Sequence, residues 1–128
     1  MGSMANYLET ALVNAVLRNT AYSSPVTVYI ALYTSDPTEA DSGTEVSGGA
    51  YARQAITFSA PSDGATSNTA DITFPVATAN WGTITHFGIR DALTAGNMLF
   101  YGALTTPRTV ESGNTIVAKA GEIDISIG

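Results

Sequence analysis

The feature that most constrains this chain is an alternation of apolar and polar residues with a period of two, which recurs in several separate segments. The alternation covers residues 26–33, 53–58, 69–74 and 122–127. Successive side chains of a β-strand point to opposite faces, so this period indicates strands with one apolar face and one polar face. Apolar segments of similar length predict further strands at residues 83–90, 97–104 and 114–119.

Clusters of turn-forming residues separate these predicted strands. They are rich in Gly, Asn, Asp, Ser and Pro and lie at residues 61–64, 79–82, 94–97 and 111–114. Several short strands separated by such turns are typical of a β-sandwich or a β-barrel. We therefore expect a mainly β fold, an antiparallel β-sandwich with jelly-roll topology.

One segment near the N-terminus has helical periodicity instead. Its apolar side chains form a stripe at spacings of three and four, made of Leu8, Leu12, Ala15 and Val16 and widened by Val13 and Leu17. Asn6 and Glu9 have the spacing of a capping box, which predicts Asn6 as the N-cap of a helix over residues 5–18. The wide stripe predicts burial on two sides, either as a plug at one end of the sandwich or as a docking face for a neighbouring subunit.

The length of 128 residues suits a single domain. We assign that domain to residues 5–128, and residues 1–4 have the appearance of a cloning scar followed by the native start Met4. No apolar run reaches the roughly 18 residues that cross a bilayer, so the sequence predicts no membrane partner.

The charge and the lack of cysteine exclude several classes of function. The net charge is −6 with five cationic residues, and nucleic-acid binding draws on clustered Lys and Arg, so we expect no nucleic-acid partner. Without Cys there are no disulfides, thiolate nucleophiles or thiolate metal sites. The absence of disulfides is compatible with folding in a reducing cytosol.

The longest irregular stretch, residues 34–49, carries the carboxylates of Asp36, Glu39, Asp41 and Glu45. Carboxylates suit calcium, but their spacing is not that of an EF-hand loop. We therefore predict a solvated acidic loop and neither a metal nor another cofactor. Arg53 and Arg90 are expected to pair with Asp71 or Asp91 across strands.

No catalytic residue is predicted. His86 shares the face of Ile84 in an alternating segment, and no motif supplies a nucleophile for it. Trp81 lies in a turn, where its ring could cap the edge of the core with its indole N–H bonded to the backbone, or could serve as a platform for sugar. Trp81 and His86 are thus the candidate glycan-binding residues.

Four segments together carry a resemblance to a known family. They are residues 32–38, 48–61, 80–89 and 99–107, and the similarity extends over residues 7–127. In these segments the chain resembles a family of small structural proteins from tailed bacteriophages, whose members are commonly labelled tail-fibre proteins. The resemblance implies a non-enzymatic protein on the virion exterior, made in the cytoplasm of the bacterial host, with phage capsid or tail proteins as partners.

Two structural roles are consistent with this resemblance. A compact acidic domain without a heptad or fibrous repeat favours capsid decoration, in which a cement protein bridges capsid subunits. The alternatives are a tail-fibre component and a receptor- or glycan-binding module. For either structural role we expect self-association, as a homotrimer, through the helix and the first strand. The candidate interface residues are Leu8, Leu12, Val16, Tyr29 and Tyr33.

Overall fold

The computed structural model describes residues 2–127, and within them the fold is mainly β with a helix near the N-terminus. The elements are β1 (Gly2–Met4), α1 (Asn6–Leu17), β2 (Val28–Tyr33), β3 (Gln54–Ile56), β4 (Ala65–Ser67), β5 (Ile72–Thr73), β6 (Gly82–Arg90), β7 (Met98–Val110), β8 (Val117–Ala118) and β9 (Asp124–Ser126).

Seven of the strands form one curled sheet that resembles half of a barrel. Its order is β3-β2-β6-β7-β1-β9-β4, and β5 and β8 form a separate pair. The sheet is mixed, because β1 pairs in parallel with β9 while its pairing with β7 is antiparallel. The expected purely antiparallel sheet is therefore wrong, and the expected sandwich with jelly-roll topology is not confirmed. Residues 2–4 form β1, which lies between β7 and β9.

A short hairpin ties the two edges of the sheet together. Beyond β3, the Ser59 N–H donates to the Ser67 carbonyl at 3.0 Å, and the Thr69 N–H donates to the Thr57 carbonyl at 3.0 Å. The hydroxyls of Thr57 and Thr69 lie 2.6 Å apart. Strand edges offer unpaired backbone groups to other chains, and this hairpin reduces that exposure.

The main core lies on the concave side of the sheet. It is built from the apolar sides of the alternating strands, with Ile30, Leu32, Phe74, Ile84, Phe87, Ile89 and Ile125 among its buried members. In β2 the period of two thus places Ile30 and Leu32 inside, as the alternation predicts.

A second, smaller core lies on the outer face of the sheet. It contains Ala5, Ala31, Tyr33 and Met98, with Tyr101 packed against it. Strand β2 is therefore buried on both faces, and Tyr33 is 1% exposed. The prediction of Tyr33 as an interface residue is wrong, because the chain before α1 and the loop after β2 cover this side of the strand.

A break in the pairing of β6 with β7 changes which side chains of β6 face the main core. From Ile84 to His86 the strand β6 advances by two positions, whereas β7 advances by five, from Arg108 to Ala103. Such an irregularity interrupts the alternation of side chains along the strand. Ile84 and Phe87 therefore face the main core, whereas His86 lies opposite Tyr33 on the outer side. The prediction that His86 shares the face of Ile84 is wrong for this reason.

Helix α1 packs against β7 through its N-terminal half. Ala5, rather than the predicted Asn6, is the N-cap, and it makes no side-chain capping bond. Leu8 is buried, but Val16 and Leu17 are each 77% exposed. The predicted plug at the end of the sandwich is therefore wrong, because the second half of the helix is not covered by the rest of the chain, and docking of this face on a neighbouring subunit stays a prediction.

Replacement of Gly88 tests how closely the second core is packed. A β-carbon at this position would lie 2.8 Å from Tyr33 Cε1 and 3.3 Å from Met98 Sδ, and both of those residues are buried. Gly88→Ala should therefore lower the free energy of unfolding by about 1–3 kcal/mol, as overpacked cores do. Urea unfolding measures this, with Thr105→Ala, an exposed change in the neighbouring strand β7, as the control. Equal stability of the two variants would contradict the packing described here.

Candidate interaction surface

Two arginines organise the loop that follows β2. Arg53 and Arg90 are buried, and each forms an ion pair with a carboxylate of this loop, Glu45 and Asp41 respectively. The predicted pairing with Asp71 or Asp91 is wrong. Arg90 and Asp41 are 49 positions apart in the sequence, so no local sequence pattern revealed their pairing.

Arg53 forms the more extensive of the two networks. Its Nε and Nη2 each donate to one carboxylate oxygen of Glu45 at 2.8 Å, which is a bidentate pair. The hydroxyl of Tyr51 donates to the same carboxylate at 2.6 Å. Nη1 of Arg53 donates to the carbonyls of Ala92 and Ala95, at 2.8 and 2.9 Å. The loop after β2 is thereby joined to the turn between β6 and β7.

Arg90 makes a similar connection from β6. Its Nη1 donates to Asp41 Oδ1 and to the hydroxyl of Tyr33, both at 2.8 Å, and its Nη2 donates to the Gly96 carbonyl at 3.0 Å. Burial alone would lower the pKa of Arg90, but its bonds to Asp41 and Tyr33 outweigh this and raise the pKa above its usual value. Arg90 is thus a permanent charge that holds the loop in place.

Hydrogen bonding and burial shift the pKa values of Tyr51 and Glu45 away from neutral pH. Burial and the bond to Glu45 raise the pKa of Tyr51 far above its usual value. Burial favours a higher pKa for Glu45, but hydrogen bonds from Arg53 and Tyr51 outweigh it and lower the pKa below its usual range. Such an arrangement stabilises a structure, and it provides no group poised for proton transfer near pH 7.

The other carboxylates of the loop remain at its surface. Asp36 Oδ1 accepts a bond from the Thr38 N–H at 2.9 Å and lies 3.9 Å from Nε2 of His86. Within residues 2–127, no cluster of His and acidic side chains has the arrangement of a metal site. The expected solvated acidic loop therefore describes only part of this segment, because Asp41 and Glu45 bind arginines.

Trp81 and His86, the candidate glycan residues, lie on different sides of the sheet. Trp81 is 6% exposed in the main core, and its indole N–H donates to the Gly49 carbonyl at 2.9 Å. Its ring meets that of Tyr51 edge to face at 5.4 Å. His86 Nδ1 lies 2.8 Å from the Thr85 hydroxyl on the outer face. The structure does not bring the two residues together as a sugar platform.

The exposed apolar residues of α1 form a surface that we call the α1 ridge, defined as Val13, Val16 and Leu17. Val13 is 53% exposed, and the other two are each 77% exposed. Of the predicted interface residues, Val16 lies on this ridge, Leu12 and Tyr29 are partly exposed, and Leu8 is buried. The helical periodicity identified the ridge residues, but the sequence did not show which side of the stripe would remain open.

A second apolar surface lies at the open end of the curled sheet. We call it the apolar groove, a cavity of about 380 Å³ lined by Val28, Phe58, Ile89, Leu99, Phe100 and Ile125, with Pro61, Gly64, Thr66 and Ile127 at its rim. Sequence reasoning missed this groove. Most of its residues are apolar residues of predicted strands. Their pattern predicts an apolar face but does not show whether other side chains cover that face.

Comparison with known proteins identifies the family. The model of the podophage GP4 fiber I protein gp80 family matches residues 3–126. The chain belongs to this family. No curated protein matches the sequence. Family membership makes the chain a structural protein of a tailed-phage virion, which confirms the resemblance found in the sequence.

No described helix has the length and apolar character needed to span a membrane.

The bidentate pair predicts an acid-dependent loss of stability. The contribution of ionised Glu45 is complete above its unfolded-state pKa of about 4.3 and is lost as the pH falls through the lower folded-state pKa. Glu45→Gln should cost about 1–3 kcal/mol at neutral pH and flatten the fall in stability below about pH 4. Urea unfolding across pH measures both effects, with Glu111→Gln at an exposed site as the matched control. An unchanged pH profile in Glu45→Gln would contradict this role.

Proposed function

We propose that this protein is a non-enzymatic subunit of a fibre on the exterior of a podophage particle, where it assembles with further copies of itself. The family match to a podophage fiber protein supports the fibre role. The observation that carries the self-assembly is the α1 ridge, which exposes three large aliphatic side chains in two turns of a short helix.

Exposure of the α1 ridge to water is unfavourable in free energy for an isolated molecule. Aliphatic surface exposed to water gains roughly 25 cal/mol per Å² when it is buried, and contiguous apolar patches on monomers are often sites of association. The described chain does not cover Val16 or Leu17 with any other element, as their exposure of 77% shows. A neighbouring subunit would remove this surface from water. The homotrimer expected from the sequence is one closed form that such assembly could take.

The buried networks support a structural role. Arg53 and Arg90 direct their donors to loop and turn carbonyls or to carboxylates, and Tyr51 stays protonated. Glu45, Tyr51 and Arg53 line a surface pocket of about 380 Å³, but their polar atoms are already engaged with one another and with the carbonyls of Ala92 and Ala95. We therefore assign no substrate to this chain.

Capsid decoration is the second candidate, and the compactness of the domain favours it. Most of the described strands have six residues or fewer, the sequence has no heptad or fibrous repeat, and the net charge is −6. A cement protein of this kind would use the same α1 ridge to contact neighbouring capsid subunits. A glycan-binding role has less support, because the ring of Trp81 is buried.

Imaging of the phage particle separates these two roles. Gold-labelled antibody against this protein, followed by electron microscopy, should mark projecting fibres at a defined position on the particle. Label distributed over the whole capsid lattice would contradict the fibre assignment and favour decoration. Particles from a phage that lacks the gene provide the control for specific labelling.

Self-association should depend on the α1 ridge. The double variant Val16→Asp, Leu17→Asp places two charges where apolar contact is proposed, so it should shift the protein toward monomer by at least about tenfold in dissociation constant. Both residues are largely exposed, so the melting temperature should change little. Light scattering at micromolar concentration measures the mass, with Thr10→Asp on the same helix as control. A wild-type protein that stays monomeric at every concentration would contradict the proposed self-assembly.

A further inference from the structure

We infer that the α1 ridge of one copy inserts into the apolar groove of the next copy, so that the subunits join head to tail. This inference rests on the proposed self-assembly and names the surface that receives the ridge. It is carried by the composition and size of the groove, by the positions of the two surfaces on the fold, and by the charges beside them.

The groove has the composition and size needed to receive aliphatic side chains. Its floor is formed by buried Ile89, Leu99 and Ile125, and Ile127 at the rim is 47% exposed. A dry apolar cavity of about 150 Å³ can hold a molecule of benzene. The groove, at about 380 Å³, has room for more than one aliphatic side chain. Val16 and Leu17 are adjacent in sequence and are largely exposed, which makes them suitable occupants.

A single copy cannot fill its own groove with its own ridge. Ala5, which precedes α1, lies in the second core on the outer face of the sheet, and α1 packs there against β7. The groove opens on the concave side, among residues such as Ile89 and Ile125 of the main core. Ridge and groove are therefore different patches on opposite faces of the sheet. A contact between unlike patches is heterologous and generates an open filament or a ring.

The charges beside the two surfaces are complementary. Four of the five cationic residues form ion pairs within the described chain, as Arg53–Glu45, Arg90–Asp41, Arg108–Glu122 and Lys119–Asp71. Within residues 2–127, Arg18 is the cation without such a pair, and it directly follows Leu17 of the ridge. Asp63 lies in the turn between Pro61 and Gly64 at the groove rim and also has no ion pair in the described chain. Insertion of the ridge would bring Arg18 toward Asp63 of the neighbouring copy.

Disulfide trapping tests this contact directly, because the natural sequence contains no cysteine. The double variant Leu17→Cys, Ile127→Cys should form a ladder of covalent oligomers on mild oxidation with copper phenanthroline. A mixture of the two single variants should give cross-linked dimers that contain one chain of each kind. Each single variant alone should stay uncross-linked, and the reduced samples are the control.

The pattern of cross-links decides between the alternatives. Dimers formed by Leu17→Cys alone would show that two ridges pair with each other, which would overturn the groove assignment while leaving self-assembly intact. An assembling double variant that forms no cross-links would also overturn it, in favour of another receiving surface. A wild-type protein that never assembles would remove the proposed self-assembly itself, and light scattering reports that outcome separately.

A charge exchange tests the polar part of the contact. Arg18→Asp and Asp63→Lys should each raise the dissociation constant for assembly by roughly two- to fivefold, as is usual for exposed ion pairs. The two changes in one chain should restore much of the lost affinity, because the pair is then reversed rather than broken. Purely additive losses in the double variant would overturn the assignment of Asp63 as the partner of Arg18. Melting temperatures of all three variants control for folding, since Asp63 has a positive φ of 52°.

Discussion

The hydrogen bonding of two buried arginines is the interaction on which the rest of this structure depends. A buried charge is tolerated only when it is paired, so Arg53 and Arg90 each draw a loop carboxylate and backbone carbonyls toward the sheet. The buried Nε–H of Arg90 is the one donor of this pair of side chains without a hydrogen-bond partner in the described chain. The loop has no apolar periodicity with which to pack itself. Once it is held, its Glu39 carbonyl accepts the N–H of Asn6 at the start of α1 at 2.9 Å. The position of the helix therefore follows from ion pairs formed far along the chain.

Burial of β2 on both faces explains how a small domain can present two distinct apolar surfaces. Ile30 faces the main core, and Ala31 faces the second core beneath the chain that leads into α1. The sheet thus separates the outer layer, which carries the ridge, from the concave interior, which carries the groove. A conventional sandwich would cover the concave side with a second full sheet. Here the pair formed by β5 and β8 covers only part of it, and the groove stays open at one end.

Local patterns in the sequence predicted the structure correctly where a single periodicity determines which element forms. The period of two located β2, β3, β5 and β9, and the spacing of Leu8, Leu12 and Val16 located the helix to within a residue at each end. These patterns failed where a distant contact intervenes. An irregularity in the pairing of β6 with β7 after Ile84 moved His86 to the other face. The cap position moved from Asn6 to Ala5, because α1 begins directly where the chain leaves β1, which pairs with β7 and β9 inside the sheet.

The sequence by itself determined a mainly β fold with an N-terminal helix, an acidic surface and membership of a phage structural family. Residue type and spacing along a few neighbouring positions are enough for these properties. Only the tertiary structure decided that the sheet curls, that Arg90 pairs with Asp41 rather than with Asp91, and that the ridge and the groove lie on opposite faces. Each of these depends on contacts between residues far apart in the chain. Such contacts form because buried charges need partners and the strands of a sheet need neighbours. These partners and neighbours come from distant segments, so the sequence of one segment does not reveal them.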